Sequence, residues 1–195
     1  MSNELEKLKK QVALLQKLVY KDPLTDLYNR RGFLEASEKI FRMVMSVKNH
    51  ERKKFRIEEI ALVLLDLDDF KKINDKFGHE AGDAVLKGVA EILRNSLREI
   101  DVIGRWGGEE IVILLLGAGK AEALKISEDL RVKISQREFI LKRAKKIKLT
   151  ASFGVAGIDG AAPANKRKTL GELIAQADKA MYQAKKKGKN RVVTI

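Results

Sequence analysis

Cysteine is absent from this chain of 195 residues. Disulfides and thiolate metal sites are thereby excluded, and the composition suits a reducing compartment such as the cytoplasm. Histidine occurs only at His50 and His79, too few for a multi-histidine zinc site. No apolar run reaches the length of a membrane span, and the N-terminus does not read as a signal peptide. Prolines stand only in Asp22-Pro23 and in a Gly-Ala-Ala-Pro stretch, both of which read as breaks. Aromatic residues make up 6% of the chain and form no interleaved stacking platform, which speaks against a nucleic-acid binder.

Apolar and charged residues are plentiful. A hydrophobic content of 45% is enough for one real core, and the length suits one domain plus an appendage. The net charge of +13 predicts attraction to phosphates or other polyanions. Basic residues gather at Arg52-Lys53-Lys54, from Lys142 to Lys148 and from Lys185 to Arg191. The first two clusters read as solvated faces.

Residues 2–20 read as a helix with Leu5, Leu8, Val12, Leu15 and Val19 on a narrow coiled-coil-like seam, which favours a partner helix. Residues 1–21 are therefore expected to form a dimerisation or signalling helix, and residues 22–195 the main domain. Asn29 is placed to cap a helix running to about Lys48, and a basic segment from Asn49 to Glu59 follows. Ile60 to Leu65 is a continuous apolar run, the mark of a strand buried on both faces, and it ends in Asp66-Leu67-Asp68-Asp69-Phe70. A polar stretch follows, then a helix from about Asp83 to Arg98. Two apolar runs flank Gly107-Gly108, as in a hairpin whose loop needs positive φ at both glycines. A helix is expected from Lys120 to Gln136, strand signals from Ile147 to Ile158, a helix from Thr169 to Lys187 and a last strand from Val192. The order from Ile60 to Ile158 is β-α-β-β-α-β. It predicts an α+β domain of the ferredoxin-like or palm type, one antiparallel sheet with helices on one face.

In that topology the Asp66 end of the first strand sits beside the Gly107-Gly108 turn, so Asp66 and Glu109 converge. Two carboxylates and a backbone carbonyl make a hard-oxygen site suited to Mg²⁺. Lys71, Lys185 and Lys189 can contact phosphates. Together these features point to phosphoryl or nucleotidyl transfer. The plainer alternative for the glycine turn is an ordinary hairpin with an acidic fringe.

The blocks DPLTDLYNRRGF, LLDLDDFKKINDKFGHEAGDAVL, RWGGEEIVILL, SFGVA and ADKAMYQAKKKGKNR, in this order and spacing, resemble the GGDEF family of diguanylate cyclases over Asp22 to Arg191. The signature here is Gly107-Gly108-Glu109-Glu110-Ile111, with isoleucine where phenylalanine is usual. The resemblance implies condensation of two GTP into cyclic di-GMP across a facing pair of domains, with two Mg²⁺ ions per active site, or Mn²⁺ in their place. By the same resemblance, Asp66, Glu109 and the Leu67 carbonyl bind metal, and Glu110 lies near the second metal or the reacting hydroxyl. Asn74 and Asp83 read guanine. Lys71, Lys185 and Lys189 bind phosphates with the backbone amides of Asp69 and Phe70, and Gly107 and Gly108 admit the nucleotide. Arg98 and Asp101 match an inhibitory RxxD site for the product. The second reading is a catalytically silent GGDEF module that binds GTP or cyclic di-GMP.

Overall fold

The computed structural model describes residues 2–46, 59–141, 145–158 and 168–195. His50, the Arg52-Lys53-Lys54 cluster, residues 142–144 of the second basic cluster and the Gly-Ala-Ala-Pro stretch lie outside them.

Among the described residues, thirteen elements follow one another. They are α1 (Ser2–Tyr20), α2 (Arg30–Ser46), β1 (Ile60–Leu67), α3 (Phe70–Phe77), α4 (His79–Ser96), β2 (Val102–Gly107), β3 (Glu110–Leu116), α5 (Lys120–Gln136), β4 (Phe139–Ile140), β5 (Lys146–Ile147), β6 (Ala151–Ile158), α6 (Leu170–Lys186) and β7 (Val192–Thr194). The main sheet runs β2-β3-β1-β6-β7. The neighbours from β2 to β6 are antiparallel, whereas β7 joins β6 in parallel. The expected split order therefore holds, with β1 and β3 as central neighbours.

The main-sheet strands from Ile60 to Ile158 pair antiparallel as expected, and β7 extends the sheet in parallel after α6. One expectation needs correction: helices cover both faces, not one. Ala61, Val63, Leu65 and Leu67 face a core shared with α4 and α5, while Ile60, Leu62 and Leu64 face one shared with α2 and α6. This two-sided burial is why β1 is apolar without alternation.

Local signals explain several boundaries. Asn29 caps α2 by accepting from the Gly32 N–H at 2.9 Å, and its amide donates to the Val19 carbonyl at the end of α1 at 2.9 Å. Thr169 and Glu172 form a capping box at the start of α6. The helix expected from Asp83 begins earlier, at His79, and α3 precedes it. Gly78, at φ 84°, divides the two helices; its freedom of φ lets them meet without a longer linker. On α1, Leu5, Leu8, Leu15, Leu18 and Val19 are exposed.

Candidate active site

The register of β1 and β3 pairs Asp66 directly with Glu110. Gly107 pairs with Glu110 across the hairpin, so the loop is Gly108-Glu109, one residue later than expected. Only Gly108, at φ 48°, has left-handed backbone; Gly107 belongs to the strand. An added Cβ at Gly108 would meet nothing within 4 Å, so its backbone is bare to an approaching molecule. Ile111 is fully buried in the core shared with α4 and α5, consistent with a side chain that packs and does not react.

Asp66 is 5% exposed, and its Oδ2 meets Lys185 Nζ at 2.7 Å. Burial raises the pKa of Asp66 above the usual range, the Lys185 ammonium opposes the rise, and the charge of Glu109 adds to it. Glu110 is also raised, first by burial and then by the Asp66 charge. Ionised carboxylates are thus crowded here. Among the described residues no three carboxylate or imidazole side chains gather into a ready-made cage. The donor chemistry still fits Mg²⁺, which takes few protein oxygens and completes its shell with water and substrate phosphates.

A stability effect follows. A carboxylate with a raised folded pKa stabilises the fold below its unfolded pKa and loses that contribution as pH rises through the folded pKa. With chelator present, the protein should therefore lose stability as pH rises through the raised values of Asp66 and Glu110. Glu110→Gln should flatten that loss and raise Tm near neutral pH by roughly 2 °C. A melting series against pH checks this; an unchanged slope in Glu110→Gln would remove Glu110 as the cause.

The C-terminal end of α6 brings the lysines to the same place. Lys189 Nζ lies 2.9 Å from Asp69 Oδ2, and Lys72 Nζ lies 2.8 Å from Asp69 Oδ1. These contacts, Lys189 first, depress the pKa of Asp69 to about 2. Asp69 sits at φ 56° just before α3, so the Asp69 and Phe70 amides lie at a helix start beside the lysines. Lys71 is exposed in the first turn of α3.

Asn74, on α3, lies against α4 at Gly82, where an added Cβ would fall 2.1 Å from its Oδ1. Among the described residues that buried Oδ1 has no hydrogen-bond partner. Asp83 follows Gly82 and is exposed inside α4.

Arg98 and Asp101 form a closed turn. Asp101 Oδ2 accepts from the Arg98 N–H at 3.0 Å, and its Oδ1 accepts from the Leu116 N–H at 3.1 Å. The Asp101 carboxylate therefore fixes the turn, while the Arg98 side chain is half exposed, 3.7 Å from Glu122. A cavity of about 550 Å³ opens beside it, lined by Lys21, Tyr28, Arg94, Arg98, Asp101 and Ile103 among others.

The profile of the family described as "Diguanylate cyclase, GGDEF domain" matches residues 19–191. The chain belongs to the GGDEF family. Among curated relatives of this GGDEF chain, Diguanylate cyclase A of Treponema denticola is 36% identical over 135 residues, covering 69% of the chain and 35% of the relative. The response regulator PleD of Caulobacter vibrioides is 35% identical over 177 residues, covering 90% and 36%. The chain spans well under half the length of these curated relatives. In fold it is similar to the coiled coil and GGDEF domain of DgcB from Caulobacter crescentus, solved with c-di-GMP, at TM-score 0.83 and 24% identity, covering 100% and 95% of the two chains.

Three residues that shape the surroundings of the candidate site escaped the sequence reading. Asp68 is buried, and its carboxylate accepts from the Thr150 and Ser152 hydroxyls and the Asn190 N–H. Arg105 donates from Nε to the Gly108 carbonyl at 2.8 Å and from Nη1 to Asp22 at 3.1 Å, tying the turn to the segment that follows α1. Gly82 makes room for Asn74. The available signals were an acidic run longer than two ligands need and glycine inside a helical pattern.

Proposed function

We propose that this domain condenses two GTP molecules into cyclic di-GMP and two pyrophosphates, one GTP on each of two facing domains. The observation that carries the reading is the convergence of Asp66, Glu110, Lys185 and Lys189 beside the bare Gly108 turn. The 3′-oxygen of each GTP attacks the α-phosphorus of the other, and the bond to the bridging oxygen of pyrophosphate breaks. A bound pair of Mg²⁺ ions, or Mn²⁺ in their place, supplies charge stabilisation at the reacting phosphates. Asp66, Glu109 and the Leu67 carbonyl hold the metal. Glu110 lies at the second metal or takes the hydroxyl proton. Lys185 exchanges Asp66 for phosphate, and Lys71 and Lys189 add charge with the Asp69 and Phe70 amides.

Asn74 and Asp83 read the guanine edge, with Gly107 and Gly108 admitting the nucleotide. Gly82→Ala should push Asn74 away and raise KM for GTP by about tenfold with a smaller change in kcat. Steady-state kinetics with GTP and with ATP decide the point; an unchanged KM would remove Asn74 from the base site.

The exposed apolar residues of α1 suit a homodimer through that helix, working in the cytoplasm. Cationic Lys21, Arg94 and Arg98 around one cavity suit an anionic inhibitor, the cyclic di-GMP product. Arg98→Ala should weaken product inhibition by at least about tenfold while initial rates stay within about twofold. Inhibition curves with added cyclic di-GMP test this, and an unchanged midpoint would exclude Arg98 from the inhibitory site.

The main test is incubation of nucleotide-free protein with GTP and Mg²⁺. Release of cyclic di-GMP and pyrophosphate in a 1:2 ratio is expected. Binding of GTP without product would instead indicate a silent module.

A further inference from the structure

The three residues after Lys187 all have left-handed backbone: Gly188 at φ 105°, Lys189 at 62° and Asn190 at 45°. Glycine adopts this conformation freely and asparagine tolerates it. For lysine it is unfavourable and needs outside support. Part of that support is local. The Gly188 N–H donates to the Lys185 carbonyl at 3.2 Å and the Lys189 N–H to the Ala184 carbonyl at 3.0 Å, closing the end of α6.

The rest comes from two distant residues that grip Asn190. Asp68 Oδ2 accepts the Asn190 backbone N–H at 3.0 Å and the Thr150 hydroxyl at 2.6 Å. Its Oδ1 accepts the Ser152 hydroxyl at 2.7 Å. From the other side, Arg131 Nη1 donates to Asn190 Oδ1 at 2.6 Å, and Glu128 holds the same guanidinium through Nε and Nη2 at 2.9 and 2.6 Å. Asp68 is 5% exposed, and both its oxygens are engaged by inward-facing donors. It stands two residues from Asp66 yet is turned to the loop.

We propose that Asp68 is a positioning residue for the nucleotide phosphates. With Arg131 it clamps Asn190, fixes the left-handed run at 188–190 and so presents Lys189 beside the Asp69-Phe70 helix start before nucleotide arrives. The loop is preorganised, and the cost of ordering it is met in folding and not in binding. This inference rests on the GTP reading of the site, but the clamp itself is a property of the free protein.

The test compares Asp68→Ala, Asp68→Asn and Arg131→Ala in the full chain. Amide hydrogen exchange at Asn190 reports the clamp, affinity for a non-hydrolysable GTP analogue reports the loop's effect on phosphates, and KM and kcat report turnover. Asp68→Ala should expose the Asn190 amide to exchange and weaken analogue binding and raise KM by about tenfold, with kcat changed less than about threefold. Asp68→Asn should largely rescue it, since the amide oxygen can still accept from Asn190 and Thr150 while the NH₂ group faces the rotatable Ser152 hydroxyl. Arg131→Ala, at the surface, should move exchange and affinity in the same direction by about threefold. The proposal is overturned if Asp68→Ala leaves exchange and affinity at the wild-type level. It is equally overturned if Asp68→Asn loses turnover as completely as a metal-ligand variant while analogue binding survives. Should Asp68→Ala not fold, unchanged exchange and affinity in Arg131→Ala decides against the clamp. Failure of the wild-type protein to bind the analogue would defeat the GTP reading, and the exchange experiment would still decide whether Asp68 holds the loop.

Discussion

Glu109→Gln should abolish cyclic di-GMP formation, by at least about a thousandfold, while leaving the fold intact; that factor corresponds to ~4 kcal/mol of lost transition-state stabilisation. The substitution keeps volume and hydrogen-bonding shape, and Glu109 lies in the turn and outside the core. Its charge bears on Asp66, a buried carboxylate of the site. What changes is therefore the charge available to a cation between the β1 end and the turn. Gln retains a neutral oxygen donor, but a neutral oxygen offsets little of a divalent charge. Product formation by chromatography and the melting temperature are the paired measurements. A rate near that of the wild type would sink the metal assignment. A lost rate with a Tm lowered by ~10 °C would show that structure, not chemistry, had failed.

The contrast between Glu109 and its surroundings shows how far this chain can be read from its residues. The apolar run at Ile60–Leu65 announced a central strand, and the βαββαβ order placed Asp66 by the glycine turn. The observed Asp66–Glu110 pairing follows from that register. Hydrophobic pattern and turn chemistry are local, so they survive in one dimension. The second helical layer did not show, because β1 is apolar on both faces and its length alone does not say what covers each face. Asp68 was missed for a related reason. An aspartate two residues beyond a candidate ligand looks like surplus surface charge until Thr150, Ser152 and Asn190 are seen around it, and these lie 82 to 122 residues away. Asp22 and Arg105 are likewise separated by 83 residues, and their ion pair joins the end of α1 to the Gly108 carbonyl. Long-range polar contacts have no periodicity to betray them.

Gly154→Ala should destabilise the domain by about 3 kcal/mol or more and lower Tm by roughly 10 °C, the largest stability effect expected of any single methyl group here. Gly154 lies in β6 where α6 crosses it. A Cβ there would fall 2.0 Å from the Ala177 carbonyl oxygen and 2.2 Å from the Met181 amide nitrogen. Both are helix backbone, so no rotamer change relieves the overlap; α6 itself must move. That movement carries to the site, because Lys185 rides on the last turn of α6 and reaches Asp66 on β1, the neighbour of β6. Cyclic di-GMP formation should therefore fall even at temperatures where the variant stays folded. Gly171→Ala is the matched control on the same helix. Its added Cβ would meet only the Thr169 hydroxyl at 4.0 Å, so alanine should instead stabilise α6 by about 0.5–1 kcal/mol through its better helix propensity. If both substitutions changed Tm alike, the α6–β6 approach would not govern position 154. Opposite signs, with activity lost only in Gly154→Ala, would tie the spacing between α6 and the sheet to the placement of Lys185.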